Sequence, residues 1–358
     1  MSLLCPRVSA FTQFKVNESV MARRTEKGSL CEVSGKPYFR ELCCDPEDDD
    51  SVRATIVAMF PQSMSGRSLA VSKPAVCGIT NQLRKVTPDG DEQCAMLVRC
   101  YGAAGMIDRD VETATFEALS LWLGRPAYLG RFANGRVEGW LHGYRTLLLD
   151  EMPLPAFYPN IAKAMAKLHN FTVPPHLQPH LSDVDVHEAG SSESAGLWQT
   201  CSEWLHKARD QAVGALAVQS KDNAAIVASP ELDMELIGRA LDELRQRVPP
   251  DCELVFCHND LLQTNLMTDE TTLQDVRIID LEYGSINYAA FDVANHFMEY
   301  CGGTEEGERL GCPDYSKLPG EAQKKKFVDI YLEARFGGER SGPENAAGEA
   351  ASAAFLRD

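Results

Sequence analysis

The sequence predicts an α+β protein in two parts, on three observations. Residues 69–149 carry strand-like runs with a single amphipathic helix, which makes the first part a small β-rich lobe. From residue 156 the apolar spacing turns helical and stays so through most of the remainder, giving a larger, mostly helical lobe. Set into that second part is one strand-rich stretch, Leu254 to Asp280 (LVFCHNDLLQTNLMTDETTLQDVRIID), where polar residues suited to chemistry are concentrated. The expected divisions are an N-terminal extension over 1–45, a first lobe over 46–149, a second over 150–336 and a disordered tail over 337–358.

Taken in order, residues 1–35 show little periodicity and read as an arm. Ser51 to Phe60 reads as a helix capped by Asp50 or Ser51, with Val52, Ile56, Val57 and Phe60 on one face and Pro61 ending it. Leu69 to Lys85 has strand character around a turn at Gly78. Such a turn lets backbone N–H groups approach a phosphate, although an ordinary hairpin needs the same glycine. Pro88-Asp89-Gly90-Asp91 is a turn that leads into the apolar strand Ala95–Tyr101, interrupted by Arg99. Residues 108–123 form a helix with acids in its first turn, and Glu112 is the candidate partner for Arg99. Two strands, Pro126–Phe132 and Gly135–Leu141, flank an Asn-Gly turn, and 138–149 cross to the second lobe. There, Ile161, Met165, Leu168 and Phe171 space a helix that stops before Pro174-Pro175. Helices are expected at 197–218, 231–248, 291–300 and 319–336.

Composition narrows the classes. The formal charge of −17 argues against a general nucleic-acid or anionic-membrane binder. It leaves ATP open, because a local cluster of cations overrides the global sign. The 12 cysteines include no C-x-x-C pair and no Cys/His cluster with zinc spacing, so a reducing, cytoplasmic setting is expected. No run approaches a membrane span. The basic residues Arg7, Lys15, Arg23, Arg24 and Lys27 admit a transit peptide, with a ragged extension as the competing reading.

The chemistry sits in Leu254–Asp280. Asp260, Asn265 and Asp280 stand at the ends of short strands, where loops aim side chains into one cleft. Phosphoryl transfer from Mg-ATP asks for this set: one Asp to orient and deprotonate the attacking hydroxyl, and an Asn with a second Asp to hold the metal. A hairpin with polar turn residues carries the same three residue types, and both readings stay open on this stretch alone.

The segment VFCHNDLLQTNLM…RIIDLEYGSINYAAFDVANHFMEYCGG, with GITNQL (78–83), MLVRCYG (96–102), DRDVETATFEAL (108–119), GRVEGWL (135–141) and IAKAMAKLH (161–169) in order before it, resembles the choline/ethanolamine kinase family. The resemblance covers roughly residues 75 to 335 and implies the bilobal protein-kinase-like fold of aminoglycoside phosphotransferases and choline kinases. It implies ATP and Mg²⁺ as cofactors, Asp260 as catalytic residue, and Asn265 and Asp280 as metal ligands. It places Gly78, Ile79, Thr80 and Asn81 in the loop over the phosphates, Arg99 on ATP, and Glu138 at the start of the link that cradles adenine. Glu282, Tyr283 and Glu299 then line a pocket for a small amino alcohol, whose cationic head suits carboxylates and an aromatic face. His258 and His296 are expected to orient loops, and Asp292 to cap the helix 291–300.

Ethanolamine is the expected acceptor, with choline, or both, as the alternative. Choline-preferring members tend to carry Trp after the Glu that Glu299 matches; here Tyr300 follows, and Cys301–Thr304 bring no aromatic. A primary ammonium donates three hydrogen bonds to carboxylates, whereas a quaternary one needs an aromatic box. The four Trp lie at 122, 140, 198 and 204, upstream of where the family carries a Trp-x-x-Trp-like pair that closes the pocket. A nucleotide-binding pseudokinase is the reading of another class. The expected partners are a small-molecule substrate, no nucleic acid and no membrane insertion, with a homodimer left open.

Overall fold

Residues 35–74, 81–102, 108–181, 195–218, 233–249, 252–303 and 311–337 are described in the computed structural model. The first lobe is built on a sheet of six strands in the order β1-β5-β6-β4-β3-β2. These are β1 (Tyr38–Phe39), β2 (Leu69–Ser72), β3 (Asn81–Pro88), β4 (Met96–Tyr101), β5 (Tyr128–Phe132) and β6 (Gly135–Gly139). Only the β1–β5 pair is parallel. Helix α1 (Asp49–Met59) buries Val52, Ile56 and Met59 in the same core as Val86, Val98 and Phe132 of the sheet. Each such fully buried side chain contributes about 1.5–3 kcal/mol.

Three boundaries differ from expectation. Asp48, not Asp50 or Ser51, caps α1, its carboxylate accepting Asp50 N–H at 2.9 Å. Pro61 opens a further helical turn, Pro61–Met64, where its missing N–H costs nothing. Residues 36–45, expected in an extension, belong to the lobe: Tyr38 pairs with Arg131, and Cys44 is buried. The Asn134 side chain fastens Cys44, accepting its N–H at 2.9 Å and donating to its carbonyl at 2.8 Å. A strand of two residues has no periodicity to read, and the side chain that fastens Cys44 lies 90 residues away.

Helix α2 (Arg109–Leu123) lies between β4 and β5 in sequence. Its N-cap Asp108 accepts from Asp110 N and Val111 N, and Gly124 closes it at φ +80°. Past β6 the chain enters the second lobe through β7 (Tyr144–Thr146), which pairs with β9 (Leu266–Asp269); β9 in turn pairs with β10 (Val276–Ile278). A separate ribbon joins β8 (Leu254–Cys257) to β11 (Ser285–Tyr288). Helix α3 (Tyr158–His169) supplies Ile161, Met165 and Leu168 to the core, and α7 (Glu321–Phe336) supplies Phe327, Val328 and Tyr331. Between them in sequence come α4 (Gly196–Val218), α5 (Met234–Arg247) and α6 (Ala289–Glu299). Residues 338–358 of the expected tail, like residues 1–34, lie outside the described residues. Among the described residues no helix is long and apolar enough to cross a membrane.

Candidate active site

β8 hands the chain to His258-Asn259-Asp260. Asn259 stands in the left-handed region at φ +66°, a conformation that costs a non-glycine residue about 1 kcal/mol or more. Its side chain offsets this by sewing the loop to the segment opposite. Nδ2 donates to Tyr283 O and Ser285 Oγ, each at 2.9 Å, and Oδ1 accepts from Asn287 Nδ2 at 2.7 Å. From behind, the Asp292 carboxylate accepts His258 N–H on one oxygen and Asn259 N–H on the other, both at 2.8 Å. His258 donates Nε2–H to Ile279 O at 2.9 Å and accepts Asp260 N–H on Nδ1 at 3.2 Å. His296 holds Leu261 O through Nδ1 at 3.0 Å, and burial pushes its pKa down to about 4, so it is neutral. Both histidines orient loops.

Asn265 donates Nδ2–H to Asp260 O at 2.8 Å and approaches Asp260 Oδ2 at 3.3 Å. Ile279 N–H binds Asn265 O at 3.0 Å, so the residue before Asp280 hangs from Asn265. Asp280 itself is left-handed at φ +61°. The structure therefore brings Asp260, Asn265 and Asp280 together. Burial, opposed by His258 and reinforced by the Asp280 charge, raises the Asp260 pKa above the ordinary carboxylate value.

Arg99 reaches this cluster from β4, its Nη1 donating to Asp280 Oδ1 at 3.0 Å. Its expected partner Glu112 is not the one it binds. Arg99 Nε donates at 2.8 Å to Glu138 Oε1, which also accepts from Arg136 Nε at 2.8 Å. Glu112 instead takes Arg136 Nη1 and Arg109 Nη1, each at 2.7 Å. In the β4–β6 register Arg99 lies opposite Arg136 and Leu97 opposite Glu138, so Glu138 is the diagonal neighbour of Arg99 on the same face of the sheet, whereas Glu112 comes from α2. The close β4–β6 contact needs Gly135, since a Cβ there would lie 2.3 Å from Arg99 O. Burial works against the Arg99 cation, and Glu138 and Asp280 outweigh it, so its pKa is raised.

Glu112 makes a prediction. Burial favours its neutral form, but Arg136 and Arg109 win and hold its pKa at about 2 against 4.5 in the unfolded chain. A depressed carboxylate contributes stability that is complete above pH 4.5 and lost as pH falls towards 2, here about 3 kcal/mol. Urea unfolding from pH 6 down to pH 3 is expected to show about 2 kcal/mol of that loss in the wild type, and a flatter profile in Glu112→Gln.

Two residues past Asp280, Glu282 Oε2 accepts Asn81 Nδ2–H at 3.1 Å and lies 3.5 Å from Arg109 Nη1. Asn81, expected over the phosphates, thus joins the first lobe to Glu282. Gly78, Ile79 and Thr80 lie outside the described residues. Tyr283 meets Trp204 of α4 edge-on, ring centroids 6.4 Å apart at 85°, and Trp204 is 47% exposed. Tyr300, which follows Glu299, is turned into the core against His296 and Phe297. Glu299 is half-buried at the end of α6, about 10 Å along the helix from Asp292.

A sequence model of choline/ethanolamine kinase matches residues 73–346. The chain belongs to the choline/ethanolamine kinase family. A probable choline kinase of Arabidopsis thaliana is 28% identical over 307 residues, 84% of this chain and 80% of that one. A probable ethanolamine kinase of the same plant is 30% identical over 261 residues, 72% of this chain and 61% of its own. The solved structure of an ethanolamine kinase from Plasmodium vivax shares the fold, at a TM-score of 0.64 and 23% identity, covering 87% of this chain and 78% of that one. The two-lobed α+β fold is that of choline/ethanolamine kinases.

Sequence reasoning missed the part three residues play in this candidate site. Asp292 does not cap α6: the helix begins at Ala289 after Tyr288, so Asp292 faces the 258–259 backbone from inside the first turn. It is fully buried, and a lone acid in the apolar run AAFDVANHF was the available signal. Arg136 and Asn259 carried no signal beyond their neighbours.

Proposed function

We propose that this family member transfers the γ-phosphoryl group of ATP to the hydroxyl of ethanolamine, giving phosphoethanolamine for phosphatidylethanolamine synthesis. The observation that carries this reading is the hydrogen-bonded cluster of Asp260, Asn265, Asp280 and Arg99. Asp260 orients the hydroxyl and takes its proton, a role helped by its raised pKa. Asn265 and Asp280 would hold Mg²⁺, and the donor set fits, since hard cations prefer oxygen ligands. The Asn265 Nδ2 group is engaged by Asp260 O, which leaves Oδ1 as its ligand atom. The cation supplies neutralisation of phosphate charge when bound. Arg99, fixed by Glu138, presents its charge at the same edge of the cleft. Glu138 thereby serves ATP through Arg99.

Glu282, Tyr283 and Glu299 supply the acceptor pocket in this reading, their carboxylates matching a primary ammonium. One observation favours choline as a second substrate: the exposed face of Trp204 beside Tyr283 offers a quaternary head an aromatic corner. Steady-state kinetics separate the two. Ethanolamine is expected to show the higher kcat/KM, by about tenfold. Trp204→Ala is expected to raise the KM for choline about threefold or more while changing that for ethanolamine little. A kcat/KM for choline above that for ethanolamine would reverse the assignment.

A further inference from the structure

Asp292 does not hold the catalytic loop unaided. His169, the last residue of α3, reaches Asp292 Oδ2 with Nε2 at 2.9 Å, and its Nδ1 lies 2.6 Å from the Tyr331 hydroxyl of α7. That hydroxyl accepts from Arg335 Nη1 at 3.1 Å. Arg335 is in turn gripped by both oxygens of Glu253, the residue before β8, at 2.7 and 2.8 Å. His169, Tyr331 and Asp292 are all buried at 3% exposure or less.

The donors assign the protons. A guanidinium only donates, so the Tyr331 oxygen accepts from Arg335, and the pairing with His169 Nδ1 is completed if the Tyr331 hydroxyl donates to it. His169 is then the neutral tautomer with its proton on Nε2, which it donates to Asp292. The opposite tautomer would require a protonated Asp292, yet that carboxylate already accepts two backbone N–H groups of the loop. The chain of contacts therefore runs in one direction, from Arg335 through Tyr331, His169 and Asp292 to the backbone of 258–259. From there His258 Nδ1 receives the Asp260 N–H.

We propose that Tyr331 is a positioning residue for phosphoryl transfer: its hydroxyl fixes the His169 tautomer, and through Asp292 the aim of the loop that carries Asp260. This ties the last helix described to the chemistry of a loop 71 residues earlier (331 − 260). It rests on the proposed kinase activity, and the test keeps the two apart. Tyr331→Phe preserves the ring in the core and removes only the hydroxyl. With ATP and ethanolamine, kcat is expected to fall between about tenfold and a hundredfold, because small misplacements of a reacting group are costly. KM for ATP and for ethanolamine are expected to stay within about twofold. A residue that served only packing would lower the unfolding temperature without that split. The same change in a His169→Gln background is expected to alter kcat less than about twofold, since the hydroxyl acts through His169.

An active wild type with an unchanged kcat in Tyr331→Phe would overturn the inference alone. So would a full, additive loss in the His169→Gln background. A wild type inactive on both ethanolamine and choline would overturn the functional reading and the inference with it.

Discussion

Asp260→Ala is expected to lower kcat by about three to four orders of magnitude while leaving ATP binding within about threefold. A positioned general base contributes roughly 10²–10⁴. Asp260 also orients the hydroxyl, which places the loss at the upper end of that range. The substitution removes little from the fold, because the loop is held by backbone and neighbouring groups rather than by this side chain. Asn265 Nδ2 keeps its bond to the Asp260 carbonyl at 2.8 Å, and the His258 and Asn259 amides keep theirs to Asp292. Nucleotide affinity measured by calorimetry and turnover measured by product formation should therefore part company. A variant that still turns over at the wild-type rate would remove Asp260 from the chemistry.

Asp292→Asn is expected to damage both activity and stability. The carboxylate accepts three donors: His258 N, Asn259 N and His169 Nε2. Asn offers one accepting oxygen, and its amide N–H groups would point at donors. Each buried donor left without an acceptor costs about 1–3 kcal/mol, and one or two of the three lose theirs. Denaturant unfolding should show that loss, and the surviving folded protein should show kcat lowered at least about a hundredfold through misplacement of Asp260. A variant with wild-type stability and kcat would mean that the loop holds its shape without Asp292.

Much of this was legible in the sequence. The two lobes follow from the change in apolar period near residue 156. The Asp260, Asn265 and Asp280 cluster follows from polar residues placed at strand ends, where the pairing of Ile278 with Leu266 brings the two ends together. What failed was partner choice across the sheet. Glu112 was a natural guess for Arg99 because it opens the adjacent helix, but register decides, and register set Glu138 beside Arg99. Asp292 was misassigned for a related reason. Near a helix start an acid suggests a cap, and only the true start at Ala289 turns it inward to the loop. Tyr331 and Arg335 sit in a helix whose polar residues gave no hint of their target, since His169 lies 162 residues from Tyr331.

The most direct measurement is product formation from γ-labelled ATP with Mg²⁺, offered ethanolamine, choline or no acceptor. Label transferred to ethanolamine, absent without acceptor and absent in Asp260→Ala, is the predicted result. ATP binding with no labelled product from either amino alcohol would contradict the account and leave a nucleotide-binding protein without transferase activity.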